Sequence, residues 1–289
     1  MAVERNDNPN KESCQAISIP LVALEGVGGS GKSHVGENLA SALQSQGLQV
    51  VTAKVSGLGD GERVKRLREI NDYREQLLQQ GKASEKIVED KRKDKIFRLA
   101  TRHQIRLLLG QLSDSTADLG ILDRTPVMPW VYASSADPQN PYLDEILRDG
   151  VEQTKSLGIS TIYYLQVKPE TAYSRIIARA CVLAKKPEQR ARDLCAQIGA
   201  NPDSAQKIVE KSLALISANA NLKPKEYRRW DFIPYSVMAM ECQRYLEVLG
   251  NLESTYGVRY VAIDAENPVD QVVDSVTADI NSNIFSQNI

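Results

Sequence analysis

The sequence predicts a single α/β domain built on a parallel sheet, and three observations carry that expectation. Short apolar runs alternate with longer amphipathic stretches along the chain. A glycine-rich segment, Gly26-Val27-Gly28-Gly29-Ser30-Gly31-Lys32-Ser33, separates the first apolar run from the first amphipathic stretch. The composition, 42% hydrophobic and 25% charged over 289 residues, is that of a soluble chain with one sizeable core.

The apolar runs lie at 17–24, 48–55, 119–122, 161–167 and 258–263. Each is four to eight residues long and rich in Val, Ile, Leu or Tyr, the pattern of buried strands. Helical periodicity fills 32–46, 62–80, 87–112, 142–157, 170–184, 231–255 and 269–281, with Gly47 and Gly81 stopping the first two. Strands separated by helices need crossover connections, so the sheet is parallel with helices on both faces. Such a sheet binds its ligand at the carboxyl ends of the strands. Two segments exceed this plan. Residues 84–95 carry dense charge of both signs and read as the solvated start of a long helix. Residues 185–225 are helical in pattern, lie between strand-like runs and are too long for a simple connection. A lid or helical insertion is expected there.

Charge and cysteine usage narrow the classes. Thirty-six basic residues against 37 acidic ones leave a net charge of −1, so no global field recruits nucleic acid or an anionic membrane. The four cysteines, Cys14, Cys181, Cys195 and Cys242, are scattered without a CxxC pair, and the chain has two histidines. That argues against a zinc site and against a disulfide framework. No apolar run approaches the ~20 residues of a membrane span. Residues 1–16 are polar and read as a disordered tail on a cytoplasmic protein, with 17–289 forming the domain.

The chemistry sits in Gly26–Ser33, which matches G-x-x-x-x-G-K-[ST] and has the strand-then-helix context this motif requires. Glycines let backbone N–H groups curl around phosphate oxygens, and the helix N-terminus adds its unsatisfied donors. Lys32 is expected at the β- and γ-phosphates of a nucleoside triphosphate and the Ser33 hydroxyl on Mg²⁺. Gly26, Gly28, Gly29, Ser30, Gly31 and His34 complete the donor site. Further on, Leu119-Gly120-Ile121-Leu122-Asp123-Arg124 is an apolar strand ending in two charges. Asp123 there suits a magnesium contact or orientation of an attacking hydroxyl, and Arg124 a bidentate clamp on an anion. A structural ion pair is the alternative.

Other segments follow in a telling order. Leu24-Glu25 precedes the glycine-rich loop. Lys54-Val55-Ser56-Gly57 and Arg66-Leu67-Arg68 come after the second strand, and Ala100-Thr101-Arg102-His103-Gln104 lies on the long helix. Asp123-Arg124 is followed by Tyr132. Tyr163 to Glu170 lead to Arg175 and Arg179, one helical turn apart; Arg244-Tyr245-Leu246-Glu247 and Val261-Ala262-Ile263-Asp264-Ala265 close the series. In this arrangement the chain resembles the thymidylate kinase branch of the P-loop nucleoside and nucleotide kinases, over roughly residues 21–280 with the stretch after Lys185 unmatched. The resemblance implies a three-layer P-loop kinase fold, a mainly parallel five-stranded sheet and a helical lid. It also implies ATP and Mg²⁺ as cofactors, Arg179 on the donor nucleotide and an adenine-binding loop at 266–269. Lys54, Arg102 and Arg124 would hold the acceptor, with Phe97 and Arg98 where the family stacks the acceptor base. Apart from the resemblance, Trp130 lies in the loop after Asp123-Arg124 and reads as a wall of the acceptor pocket or as a packing anchor. The family often dimerises, and the helix at 87–112 would supply such an interface.

The departures fall on the acceptor side. Thr125 and Met128 stand where the family has Tyr or His and then Ser; Val55 replaces an acidic residue; the family's base-stacking Phe falls on Arg98, with Phe97 one place off. The glycine-rich loop has no basic residue besides Lys32, so the resemblance assigns the catalytic arginine to the lid, to Arg190 or Arg192. The expected activity is transfer of the γ-phosphoryl group of ATP to a nucleotide-like acceptor. A hydroxymethylated base in DNA or a small phosphorylated metabolite is the alternative acceptor. A nucleotide-dependent switch with 185–225 as its partner surface is the alternative from another class.

Overall fold

The computed structural model describes residues 19–54, 112, 115–219, 222–225, 227 and 232–286. The predicted tail at 1–16 and the helical patterns at 62–80 and 87–111 lie outside these residues, as do Phe97, Arg98 and Arg102.

The five predicted strands form one sheet. They are β1 (Leu21–Glu25), β2 (Val50–Lys54), β3 (Leu119–Asp123), β4 (Ile159–Gln166) and β5 (Arg259–Asp264). Their order is β2-β3-β1-β4-β5, and every neighbouring pair is parallel. β1 lies at the centre with all its side chains buried, and β4 is buried except at Ser160 and Gln166. Strands covered on both faces read as continuous apolar runs rather than alternating ones, which is why they were legible as runs.

Two adjacent tyrosines of β4 show how the helices are layered. Neighbouring side chains on a strand point to opposite faces. The Tyr163 hydroxyl donates to Asp279 Oδ2 at 2.8 Å, on α8 (Val269–Ile280). The Tyr164 ring instead meets that of Tyr245 at 5.5 Å between centroids, on α7 (Tyr235–Tyr256). α7 and α8 therefore cover opposite faces. α1 (Lys32–Ser45) packs beside α8, while α2 (Met128–Ala136) packs beside α7 and carries α3 (Leu143–Ser156).

The stretch 185–225 contains two helices, α5 (Pro187–Gln197) and α6 (Pro202–Ala218), packed on each other and on α4 (Pro169–Cys181). All three begin on proline, whose fixed φ and missing N–H suit the first helical position. Asn201 caps α6 by accepting from Ser204 N at 2.9 Å. Polar contacts pin these helices down: Glu170 of α4 accepts from the Tyr235 hydroxyl at 2.6 Å and from Ser204 Oγ at 3.2 Å. The Tyr173 hydroxyl donates to Ile233 O.

Some boundaries differ from the sequence reading. Trp130 sits in α2 rather than in a loop. Met-Pro-Trp-Val-Tyr-Ala-Ser-Ser-Ala offers no charged face, because the helix is wedged between α3 and α7. β4 begins at Ile159, two residues before the apolar run suggests, and α7 starts at Tyr235, just after Pro234. Among the described residues no helix is long and apolar enough to cross a membrane.

Candidate active site

The glycine-rich loop emerges from β1 at the carboxyl edge of the sheet and runs into α1. Its shape requires glycine at Gly26, Gly29 and Gly31, the last for its φ of 99 rather than for want of space. Gly26 holds φ 147, and a Cβ there would lie 2.8 Å from Leu165 O. Gly29 holds φ 81, and a Cβ would strike the Ala172 carbonyl at the start of α4. Lys32 folds back over the loop and is almost wholly buried. Its Nζ donates to Gly26 O at 2.7 Å, Val27 O at 2.8 Å and Ser30 Oγ at 3.3 Å. The first turn of α1 has neither a side-chain cap nor an acidic residue. A helix N-terminus left in that condition is a site for an anion.

β1 and β3 bring the second part of the site alongside. Leu24 lies opposite Asp123, and Asp123 lies opposite the backbone of Lys54 on β2. Ser33 Oγ donates to Asp123 Oδ2 at 3.0 Å. The donor set fits Mg²⁺, a hard cation that takes oxygen ligands: a hydroxyl and a carboxylate oxygen stand side by side at the mouth of the loop. Ser33 and Asp123 would hold the ion, directly or through one of its waters.

Arg124 follows with φ 83, the one non-glycine residue with positive φ among the described residues. Its N–H donates to Leu24 O at 2.9 Å. The guanidinium turns toward the α2–α7 side, with Nη1 3.4 Å from the Tyr245 hydroxyl and its carbon 5.8 Å from the Tyr132 ring centre. Burial alone would lower its pKa; the phenolic oxygens of Tyr132 and Tyr245 and the carboxylates of Glu25 and Asp123 outweigh that, so the pKa is raised. Arg124 is thus a fixed cation beside the loop. Thr125, the next residue, donates through N–H and hydroxyl to Glu25 Oε1. Trp130 is half-buried against the core.

α4 closes the loop from the other side through Arg175. Its Nη1 donates to Ser30 O at 3.0 Å and Gly29 O at 3.4 Å, and its Nη2 to Ala265 O at 2.7 Å. One side chain thereby joins the phosphate loop to the segment after β5. Its pKa is lowered, by burial first and by Arg179, with Glu266 opposing. The sequence reading placed the donor role on Arg179, which is exposed one turn further along α4, where its carbonyl accepts from Lys225 N at 3.2 Å. Both arginines were visible as a pair, and only distances separate them. Glu266 is held by Thr171 Oγ1 at 2.8 Å and by Lys168 N at 3.1 Å. Burial alone would raise its pKa; the Thr171 and Lys168 hydrogen bonds reverse this and lower it.

The remaining assignments are spread more widely. Arg192 is exposed on α5 and pairs with Glu188 at 2.8 Å. Arg190, also exposed, lines an open groove with Lys186 and Asp193 between α4 and α5. His34 is exposed on α1, where Asn38 Nδ2 donates to its carbonyl at 2.7 Å. The structure brings together Gly26–Ser33, Asp123, Arg124 and Arg175. Sequence reasoning quoted Glu25 beside the loop without giving it a role, because its partner Thr125 lies 100 positions further along the chain.

No protein-family model matches the chain, and no curated protein matches it. Among solved structures, a deoxyadenosine kinase from M. mycoides with bound dATP aligns over 90% of this chain and 99% of its own, with 15% sequence identity and a TM-score of 0.46. At that level of likeness no residue role passes from that protein to this chain.

Proposed function

We propose that the protein is an ATP- and Mg²⁺-dependent phosphotransferase that moves the γ-phosphoryl group onto a nucleotide-like acceptor. The observation that carries this reading is the Ser33–Asp123 contact of 3.0 Å. It joins the phosphate loop to a carboxylate on the neighbouring strand, with the fixed cation Arg124 next to it. Ser33 and Asp123 would hold Mg²⁺, which would supply positive charge against the phosphoryl group being transferred.

The chain's own residues do the rest. The loop backbone and the open N-terminus of α1 hold the donor phosphates. Lys32, already inside the loop, moves its ammonium from carbonyl oxygens to phosphate oxygens. Arg175, through Ala265 O, keeps the loop and the adjoining segment at 266–269, where the donor base would lie, in one frame. Arg124, with Lys54 and Arg102, would hold the acceptor's anionic end. A lid arginine, Arg190 or Arg192, swings in to spread the transition-state charge; the exposed Glu188 pair of Arg192 holds it by well under 1 kcal/mol. Positioning and charge neutralisation are most of what phosphoryl transfer asks of a protein.

The test is a transfer assay with γ-labelled ATP and Mg²⁺ against nucleosides, nucleoside monophosphates and DNA carrying hydroxymethylated bases. Label is expected on a nucleoside-type small molecule, and Lys32→Ala should abolish it. Label on DNA alone would move the acceptor to a base within a polymer. Hydrolysis without transfer to any acceptor would sink the phosphotransferase reading in favour of a nucleotide switch.

A further inference from the structure

Glu25 ends β1, one residue before the phosphate loop, and is completely buried. Its carboxylate faces two ways. Oε2 accepts from the backbone N–H of Gly26 at 3.1 Å. Oε1 accepts from the backbone N–H of Thr125 and, at 2.9 Å, from its hydroxyl. Gly26 opens the loop, and Thr125 follows the Asp123-Arg124 pair. Glu25 therefore bridges the point at which the ends of β1 and β3 part company. Between its two anchor points lies Arg124, held at φ 83. A non-glycine residue keeps such a conformation only when its surroundings over-determine it. Three hydrogen bonds onto one buried carboxylate fix the backbone on either side of it.

We propose that Glu25 is a positioning residue that locks the phosphate loop and the Asp123 corner into one register. It thereby holds Ser33 Oγ and Asp123 Oδ2 at the spacing one Mg²⁺ ion needs. The inference deepens the phosphotransferase reading and rests on it. The ionised carboxylate is essential to the device because it accepts on both oxygens. A glutamine would turn an amide donor toward either Gly26 N–H or Thr125 N–H, a mismatch left in a fully buried place.

The experiment is calorimetric titration of ATP, with and without Mg²⁺, into the wild type and the Glu25→Gln, Thr125→Val, Thr125→Ser and Lys32→Ala variants. The readout is the ratio of the two dissociation constants, the gain in affinity that Mg²⁺ brings. Residues that orient metal ligands typically control about 10–100-fold in metal affinity, and Glu25→Gln should erase the Mg²⁺ gain on that scale. Thr125→Val should erase part of it, Thr125→Ser should restore it, and affinity for ATP alone should fall by much less than affinity for ATP with Mg²⁺. A merely structural Glu25 would weaken both affinities in parallel, and that result overturns the proposal. So does a wild-type ratio in Glu25→Gln, or a wild type that gains nothing from Mg²⁺. Should Glu25→Gln fail to fold, Thr125→Val decides by the same criterion. Lys32→Ala separates the two layers: ATP binding at wild-type strength in that variant would sink the phosphate-loop reading itself, whatever Glu25 does.

Discussion

Ser33 and Asp123 meet at 3.0 Å although 90 positions separate them in the chain. Asp123→Asn keeps the size and loses the charge, so metal-free ATP should bind as before. Binding of the Mg²⁺ complex should weaken by about 10–100-fold, read by titration with and without the ion. Gly29 is a different kind of residue, required by space rather than by charge. At φ 81, with the Ala172 carbonyl where a Cβ would go, Gly29→Ala must push the loop off α4. Chemical denaturation should show a loss of about 1–3 kcal/mol, and an unchanged midpoint would contradict the packing described. The motif made these glycines legible, since no other residue type offers that backbone freedom. It could not distinguish Gly26, Gly29 and Gly31, which the fold requires, from Gly28, where a Cβ would meet only Ile176 Cδ1 at 3.8 Å. Nor could it separate Arg175 from Arg179, because both lie on one helix face and the choice depends on which turn of α4 reaches Ser30 O.

At the scale of elements, the central strands β1, β3 and β4 were legible because burial on both faces makes each an unbroken apolar run, while the edge strands β2 and β5 are only partly covered and were read from their Val, Ile and Tyr content. α2 escaped for a related reason: wedged between helices, Met128–Ala136 lacks the polar face that helical periodicity is read from. The residues between β2 and β3 carried the acceptor-side assignments Phe97, Arg98 and Arg102, which lie outside the described residues. One clasp between elements can be tested by pH. Arg259 of β5 donates to both oxygens of Asp279 on α8, at 2.6 and 2.7 Å, and the Tyr163 hydroxyl joins them. These bonds, Arg259 first, hold the Asp279 carboxyl below its ordinary pKa. A depressed carboxylate contributes stability above the unfolded value, roughly pH 4, and loses it as pH falls through the folded value. Because Arg259 is partly exposed, Asp279→Asn should cost only about 1 kcal/mol at pH 7. Denaturation at pH 7 and pH 3 should show that gap shrinking on acidification; a gap that grows would contradict the assignment. The helices after α4 offer a second check. Burial pushes the Cys195 thiol up to about 11 and the Cys242 thiol up to about 12. Alkylation at pH 7.5 should leave both unlabelled until the protein is denatured, as mass mapping would show. Rapid native labelling of Cys195, which is buried on α5, would mean that α4, α5 and α6 part readily.

Across the whole molecule, the charge is nearly balanced at −1, so anion recognition is left to local geometry at one edge of the sheet. Three strand ends and two helices converge there. β1 delivers the loop, β3 delivers Asp123 and Arg124, the segment after β5 meets Arg175, and α1 and α4 enclose them. Such a convergence lets a parallel sheet hold a triphosphate and present its far end to a second molecule. Phosphoryl transfer therefore has one direct test: the product balance of a single reaction with γ-labelled ATP, Mg²⁺ and an acceptor. A phosphotransferase yields ADP and phosphorylated acceptor in equal amounts, and Lys32→Ala yields neither. ADP accompanied only by inorganic phosphate, with every nucleoside, nucleotide and modified DNA offered, would contradict it.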